Sequence, residues 1–223
     1  MDTWVYAMNI TGRDYMDEAY VPYLTETRRA EAQKRRKSRD RQLCLAAEVL
    51  LNLSLELTGI DIPLPAVYHR NSYGKPYLSQ HKGIYVNWSH SGDWVICAIS
   101  NREVGIDLQD IRREPGEALI RRMLQPEELS YYEKASKEQK KRLFYQYWTI
   151  KESYLKAVGT GFHMPLDTFY VRMENEDPQI VQRTGEKSYI CRLLDFADAG
   201  YTAALCVAEE TPAGAEDMKI RYL

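Results

Sequence analysis

The chain has 223 residues, 44% hydrophobic and 28% charged, which suits one domain or two small lobes sharing an interface. Its formal net charge of -2 sets up no global field toward nucleic acid or an anionic membrane, so any charge argument must be local. The four cysteines, Cys44, Cys97, Cys191 and Cys206, lack the short spacing of a zinc site or redox pair and sit in apolar or strand-like runs. Buried, reduced thiols in a reducing compartment are expected. The opening MDTWVYAMNI has no basic stretch followed by an apolar one, as a secretory signal would. No apolar run approaches the roughly 20 residues of a spanning helix. The expectation is a soluble, cytoplasmic protein with no membrane partner.

Trp4 to Ile10 is rich in β-formers and is predicted to be a strand. From Thr25 to Thr58 no Pro or Gly interrupts the chain, and a long helix is predicted. Its first half is basic, with Arg28, Arg29, Lys34, Arg35, Arg36, Lys37, Arg39 and Arg41, and its second half is apolar at helical spacing. A Pro-containing stretch around Gly74 and Pro76 reads as a strand and loops. Asn87 to Trp94 reads as a polar loop before a buried strand, Trp94 to Ser100. The short link Asn101-Arg102-Glu103 to a second strand, Val104 to Gln109, predicts a hairpin. Helices are predicted near 117–123 and 126–135, with Pro126 at a first turn, and over Lys140 to Val158, ended by Gly159. Strands return at 168–173, 188–196 and 201–207, the last two joined by an Asp198-Ala199-Gly200 turn. The order is α+β, with a boundary between residues 103 and 104 that leaves a helix and strands in each half, 1–103 and 104–223.

Three segments carry chemistry. In Gly105-Ile106-Asp107-Leu108-Gln109, strand alternation turns Ile106 and Leu108 toward the core and sets Asp107 and Gln109 together on the other face. An acid and an amide there offer two oxygens to a hard cation, although an acid satisfying a turn is the plainer reading. On the helix, Phe144, Tyr147, Lys151, Tyr154 and Val158 form one stripe, while Glu152 and Lys156 share another face with Tyr145 and Trp148. Asn87-Trp88-Ser89-His90-Ser91-Gly92-Asp93 brings Ser, His and Asp together without the spacing of a hydrolase triad, and suits contact with an anion.

Together and in this order, these segments resemble the 4′-phosphopantetheinyl transferases of the surfactin-synthetase type. The resemblance covers essentially the whole chain and rests on GKPYL at Gly74 to Leu78, NWSHSGDWVICAIS at Asn87 to Ser100, GIDLQ at Gly105 to Gln109, FYQYWTIKESYLKAVGTGF at Phe144 to Phe162 and PLDTF at Pro165 to Phe169. It implies two similar lobes related by a pseudo-twofold axis, with coenzyme A in the cleft between them. It implies transfer of the phosphopantetheine arm of coenzyme A to a serine of an acyl or peptidyl carrier protein, with release of 3′,5′-ADP. It implies a metal, Mg²⁺ or alternatively Mn²⁺, held by Asp107 and Glu152, with Gln109 where the family often has a third acid. Glu152 is then the candidate base, with Lys156, and less directly Lys151, on the phosphates. Lys75, Pro76, Ser89 and His90 are implied at the nucleotide end, and Arg28 and Arg41 at the 3′-phosphate, where Leu43-Cys44 departs from the family's basic-Ser/Thr pattern. The segment Ile111 to Leu129, with Met123 and Leu124, is the candidate carrier-docking surface, and two internal lobes make a monomer sufficient. Three rival readings stay open: a nucleic-acid module built on the basic helix, against which the net charge speaks, a phosphohydrolase using Asp107 and Glu152, and a degenerate, non-catalytic relative, suggested only by Gln109.

Overall fold

The computed structural model describes residues 3–174, 177–183, 185, 187–209 and 219–223. The first strand, β1 (Trp4–Asn9), is buried on both faces: Tyr6 and Met8 point one way, Val5 and Ala7 the other. Two helices follow, α1 (Glu26–Gln33) and α2 (Ser38–Thr58), where the sequence predicted one. The break falls on Lys34-Arg35-Arg36-Lys37, where consecutive like charges oppose continuing the helix and Lys37 is extended. A small hairpin of β2 (His69–Arg70) and β3 (Pro76–Tyr77) leads to β4 (Tyr85–Ser91) and β5 (Trp94–Ser100). The segment expected as a polar loop is therefore mostly strand β4. Its pairing with β5, His90 opposite Val95 and Ser91 opposite Trp94, overrides its polar composition.

The next strand, β6 (Val104–Asp110), does not form the predicted hairpin with β5. It starts a second sheet, and beside it β4 offers side chains in place of a ladder: Asn87 Oδ1 accepts from the Ile106 N–H (2.9 Å) and Ser91 Oγ from the Asp110 N–H (2.9 Å). Helices α3 (Glu117–Met123), α4 (Pro126–Lys134) and α5 (Lys137–Val158) follow, then β7 (Phe169–Glu174), β8 (Asp177–Gln182), β9 (Tyr189–Leu194), β10 (Tyr201–Ala208) and β11 (Ile220–Tyr222). Strands β8 and β11 carry no legible apolar alternation and were not anticipated. The first sheet runs β11-β1-β5-β4 and the second β6-β10-β9-β8-β7. Because β11 pairs parallel with β1, residues 220–222 complete the first sheet, although the expected boundary assigned them to the second half.

The layers are helix, sheet, sheet, helix. Leu45, Val49 and Leu50 of α2 pack on Tyr6, Met8, Cys97 and Ile99; Phe144, Tyr147 and Tyr154 of α5 pack on Cys191, Ala204 and Cys206. Between the sheets, Val5, Ala7, Ile96 and Ala98 meet Ile106, Leu108, Ala203 and Leu205. The cysteine expectation is corrected: β9 and β10 place Cys191 directly opposite Cys206, Cα to Cα 4.2 Å, and the two are joined as a disulfide, while Cys44 and Cys97 are free and buried. The cross-strand register, invisible in the spacing of the two residues, makes this pair.

Candidate active site

Alternation along β6 sends Ile106 and Leu108 into the layer between the sheets and turns Gly105 and Asp107 toward α5. A Cβ at Gly105 would lie 2.0 Å from the Ser153 carbonyl oxygen and 2.3 Å from the Ala157 nitrogen. Only a glycine lets α5 lie this close, and that closeness brings Lys156 onto Asp107. The Lys156 ammonium donates to Asp107 Oδ1 (2.7 Å) and to the Ile106 carbonyl (3.1 Å). Asp107 is 2% exposed, and its remaining partners are the Ser89 hydroxyl on Oδ1 (2.8 Å) and the Gln109 amide nitrogen on Oδ2 (3.0 Å).

Glu152 stands one turn before Lys156 and faces the same space. Burial and then the neighbouring Asp107 charge push its carboxyl up to about 7, and Lys156 opposes them. Two carboxylates that feel each other, with an amide alongside, form an oxygen donor set suited to a hard divalent cation. Among the described residues no group of three His, Cys, Asp or Glu side chains gathers as a metal site. Gln109 turns its amide nitrogen to Asp107, so its amide must turn over to present oxygen to a cation there.

A groove of about 200 Å³ opens beside this cluster, lined on one wall by Arg70, Tyr73, Lys75, Pro76 and Trp88 and on the other by Leu155, Lys156 and Gly159. Lys75 and Pro76 thus line the same groove as Lys156. The Lys75 ammonium also donates to the Ala157 carbonyl at the end of α5 (2.5 Å), and burial lowers its pKa to about 8. Ser89 is largely buried and its contact is Asp107. His90 reaches solvent, and the surrounding protein, then the Lys156 and Arg35 charges, hold its imidazole below the ordinary value. The basic turn between α1 and α2 thus overlooks His90, with Arg41 hydrogen-bonded to the Arg35 carbonyl (3.5 Å).

Two expected ligand contacts are corrected. Lys151 is fully buried and donates to Glu128 Oε2 (2.6 Å) and the Met123 carbonyl (2.6 Å). A lysine on an apolar helical stripe needs such a partner, and none of its surface is left for a ligand. Arg28 is 5% exposed and donates to Tyr68 (2.5 Å), Glu31 (3.2 Å) and the Cys44 sulfur (3.5 Å), beside Glu48. It meets the groove only through the Trp88 ring, 5.8 Å away. Met123 and Leu124, suggested for docking, are core residues at 2% and 5% exposure. Asn87 and Trp88 lie in a segment the sequence marked without assigning them a role, and Asn71 carries no sequence signal, since an isolated amide has no spacing to read. A larger cavity of about 580 Å³ against α4 and α5, lined by Tyr131, Arg142 and Gln146 among others, is reached by none of Asp107, Glu152 and Lys156.

The 4′-phosphopantetheinyl transferase superfamily profile matches residues 103–206. A 4′-phosphopantetheinyl transferase of Bacillus subtilis is 31% identical over 79% of this chain and 81% of its own length. The 4′-phosphopantetheinyl transferase HetI of Nostoc is 40% identical over 67% of this chain and 63% of its own. Among solved structures, the holo-(acyl-carrier-protein) synthase of Bacillus anthracis in complex with CoA (3′,5′-ADP) is 20% identical, with a TM-score of 0.43 over 49% of this chain and 96% of that one.

Proposed function

The chain belongs to the 4′-phosphopantetheinyl transferases, and on that premise we propose how its own residues divide the reaction. The protein transfers the 4′-phosphopantetheine arm of coenzyme A to a serine of a carrier protein and leaves 3′,5′-ADP. The serine oxygen forms a bond to the phosphorus bearing the arm, the bond from that phosphorus to the oxygen bridging the diphosphate breaks, and the serine proton must be taken up. Glu152, with a pKa near 7, is suited to accept it, directly or through water. Lys156, fixed by Asp107 and the Ile106 carbonyl, neutralises phosphate oxygens. Asp107, Glu152 and a turned Gln109 would hold Mg²⁺ or Mn²⁺, which when bound offsets charge on the diphosphate and the departing oxygen. Ser89 orients Asp107 through its hydrogen bond.

The observation that carries this reading is the convergence of Asp107 and Glu152 on Lys156, which itself lines the groove together with Lys75, Pro76 and Trp88. The groove takes the nucleotide of coenzyme A, and His90 with the basic turn at Arg35 to Arg41 meets its phosphates. We read residues 1–103 and 104–223, apart from the returning β11, as two similar lobes related by a pseudo-twofold axis. Each lays one long helix, α2 or α5, on an antiparallel set of strands, which supports the relation. One chain supplies both groove walls, which supports a monomer working alone. No helix of the described residues is long and apolar enough to cross a membrane. The test is to incubate the protein with coenzyme A, Mg²⁺ and an apo carrier protein. A mass gain of one phosphopantetheine arm on the carrier is expected, lost on adding a chelator. No gain across peptide-synthetase, polyketide and fatty-acid carriers would overturn the reading.

A further inference from the structure

Two side chains outside the reacting cluster, Lys75 and Asn71, tie the two walls of the groove to each other, and Asn71 also folds the turn that carries Lys75. Asn71 Oδ1 accepts from the backbone N–H groups of Tyr73 (3.0 Å) and Lys75 (2.9 Å), folding the turn that carries Tyr73, Gly74 and Lys75 into the groove. Its Nδ2 donates across to the Gly159 carbonyl (2.9 Å), at the end of α5. Two backbone donors on one atom and a carbonyl on the other fix the orientation of the amide. The last carbonyls of a helix lack partners within it, and here Lys75 takes Ala157 while Asn71 takes Gly159 just beyond. Gly159 has φ +85, and a Cβ there would lie 2.7 Å from Lys75 Cδ and 3.4 Å from Asn71 Nδ2. The glycine thus serves the left-handed helix end and the close seating of the turn together.

We infer that Asn71 is a positioning residue that latches the nucleotide-side turn to the end of α5, so that filling the groove and placing Glu152 and Lys156 are coupled. It touches no reacting atom. Its two functions are chemically separable. Asn71→Asp keeps an oxygen for the Tyr73 and Lys75 amides, removes the donor to Gly159 and sets a carboxylate against a carbonyl. The inference rests on the transferase reading, so Glu152→Ala is measured beside it.

The experiment compares wild type, Asn71→Asp and Glu152→Ala with coenzyme A, Mg²⁺ and apo carrier, reading kcat and each KM separately. For Asn71→Asp the expected result is a fall of about tenfold or more in kcat/KM for coenzyme A, with the carrier KM within about twofold of wild type and thermal unfolding little changed. Wild-type kcat/KM for coenzyme A in Asn71→Asp, with Glu152→Ala inactive, overturns the latch alone. Wild-type transfer by Glu152→Ala overturns the reading beneath it. A second measurement does not depend on the variant folding: in wild type, adding 3′,5′-ADP without metal should slow amide exchange at residues 159–161. Unchanged exchange there, with 3′,5′-ADP bound, overturns the coupling.

Discussion

At Glu152, burial and the Asp107 charge act in the same direction, and that sets both its chemistry and its cost to the fold. Its carboxyl ionises near 4.5 when unfolded and near 7 when folded. The folded state therefore holds the proton more tightly across that window, and stability of the metal-free protein falls as pH rises from about 4.5 to 7. Glu152→Gln removes this slope. The metal-free variant should match wild type near pH 4.5 and exceed it by about 3 kcal/mol at pH 8, read by thermal unfolding against pH. The same variant should lose transfer activity by at least about 100-fold, since it has neither the base nor the anionic oxygen. A variant no more stable at pH 8 would remove the buried charge from the account. Short, regular spacings on a strand and a helix fix which side chains share a face, and so placed Asp107 beside Gln109 and Glu152 beside Lys156; only the family resemblance made them site candidates. The sequence did not show Asn71, whose partner Gly159 lies far away along the chain.

The elements meet by contacts that spacing only half reveals. Helix α5 lies on β6 because Gly105 has no side chain. Gly105→Ala should cost at least about 3 kcal/mol by forcing the Ser153 and Ala157 backbone away, and lower the unfolding midpoint by about 6–12 °C. An unchanged midpoint would show that α5 can give way there. The stripe that seats α5 contains Lys151, which the sequence placed on the apolar face and yet near the phosphates. Lys151 does lie on that apolar face but turns away from the phosphate site, because Glu128, itself bonded to the Gln125 and Val171 amides, reaches it from α4. Lys151→Met leaves Glu128 buried alone and should destabilise by about 3–5 kcal/mol. The double variant with Glu128→Leu should recover part of this loss, by comparison of denaturant midpoints. A double variant less stable than Lys151→Met would contradict the pairing.

Over the whole molecule, the two sheets share one apolar layer and the last strand returns to the first, so neither half has a complete core of its own. Unfolding should be a single transition. Fluorescence, weighted by Trp4, Trp88 and Trp94 in the first half and Trp148 in the second, should coincide with far-UV circular dichroism along a denaturant series; separate midpoints would show independent halves. The sequence by itself determined the α+β order, the faces of β6 and α5 and the family, and it offered Asp107, Glu152 and Lys156 as candidates, since each depends on residues close together in the chain or on motifs read whole. Only the tertiary structure decided that β5 and β6 part into different sheets, that β11 closes the first one, that Cys191 meets Cys206, and that Arg28 and Lys151 turn inward. Those outcomes depend on which distant groups become neighbours, and a buried charge or an unpaired strand edge is satisfied by whatever the fold brings to it.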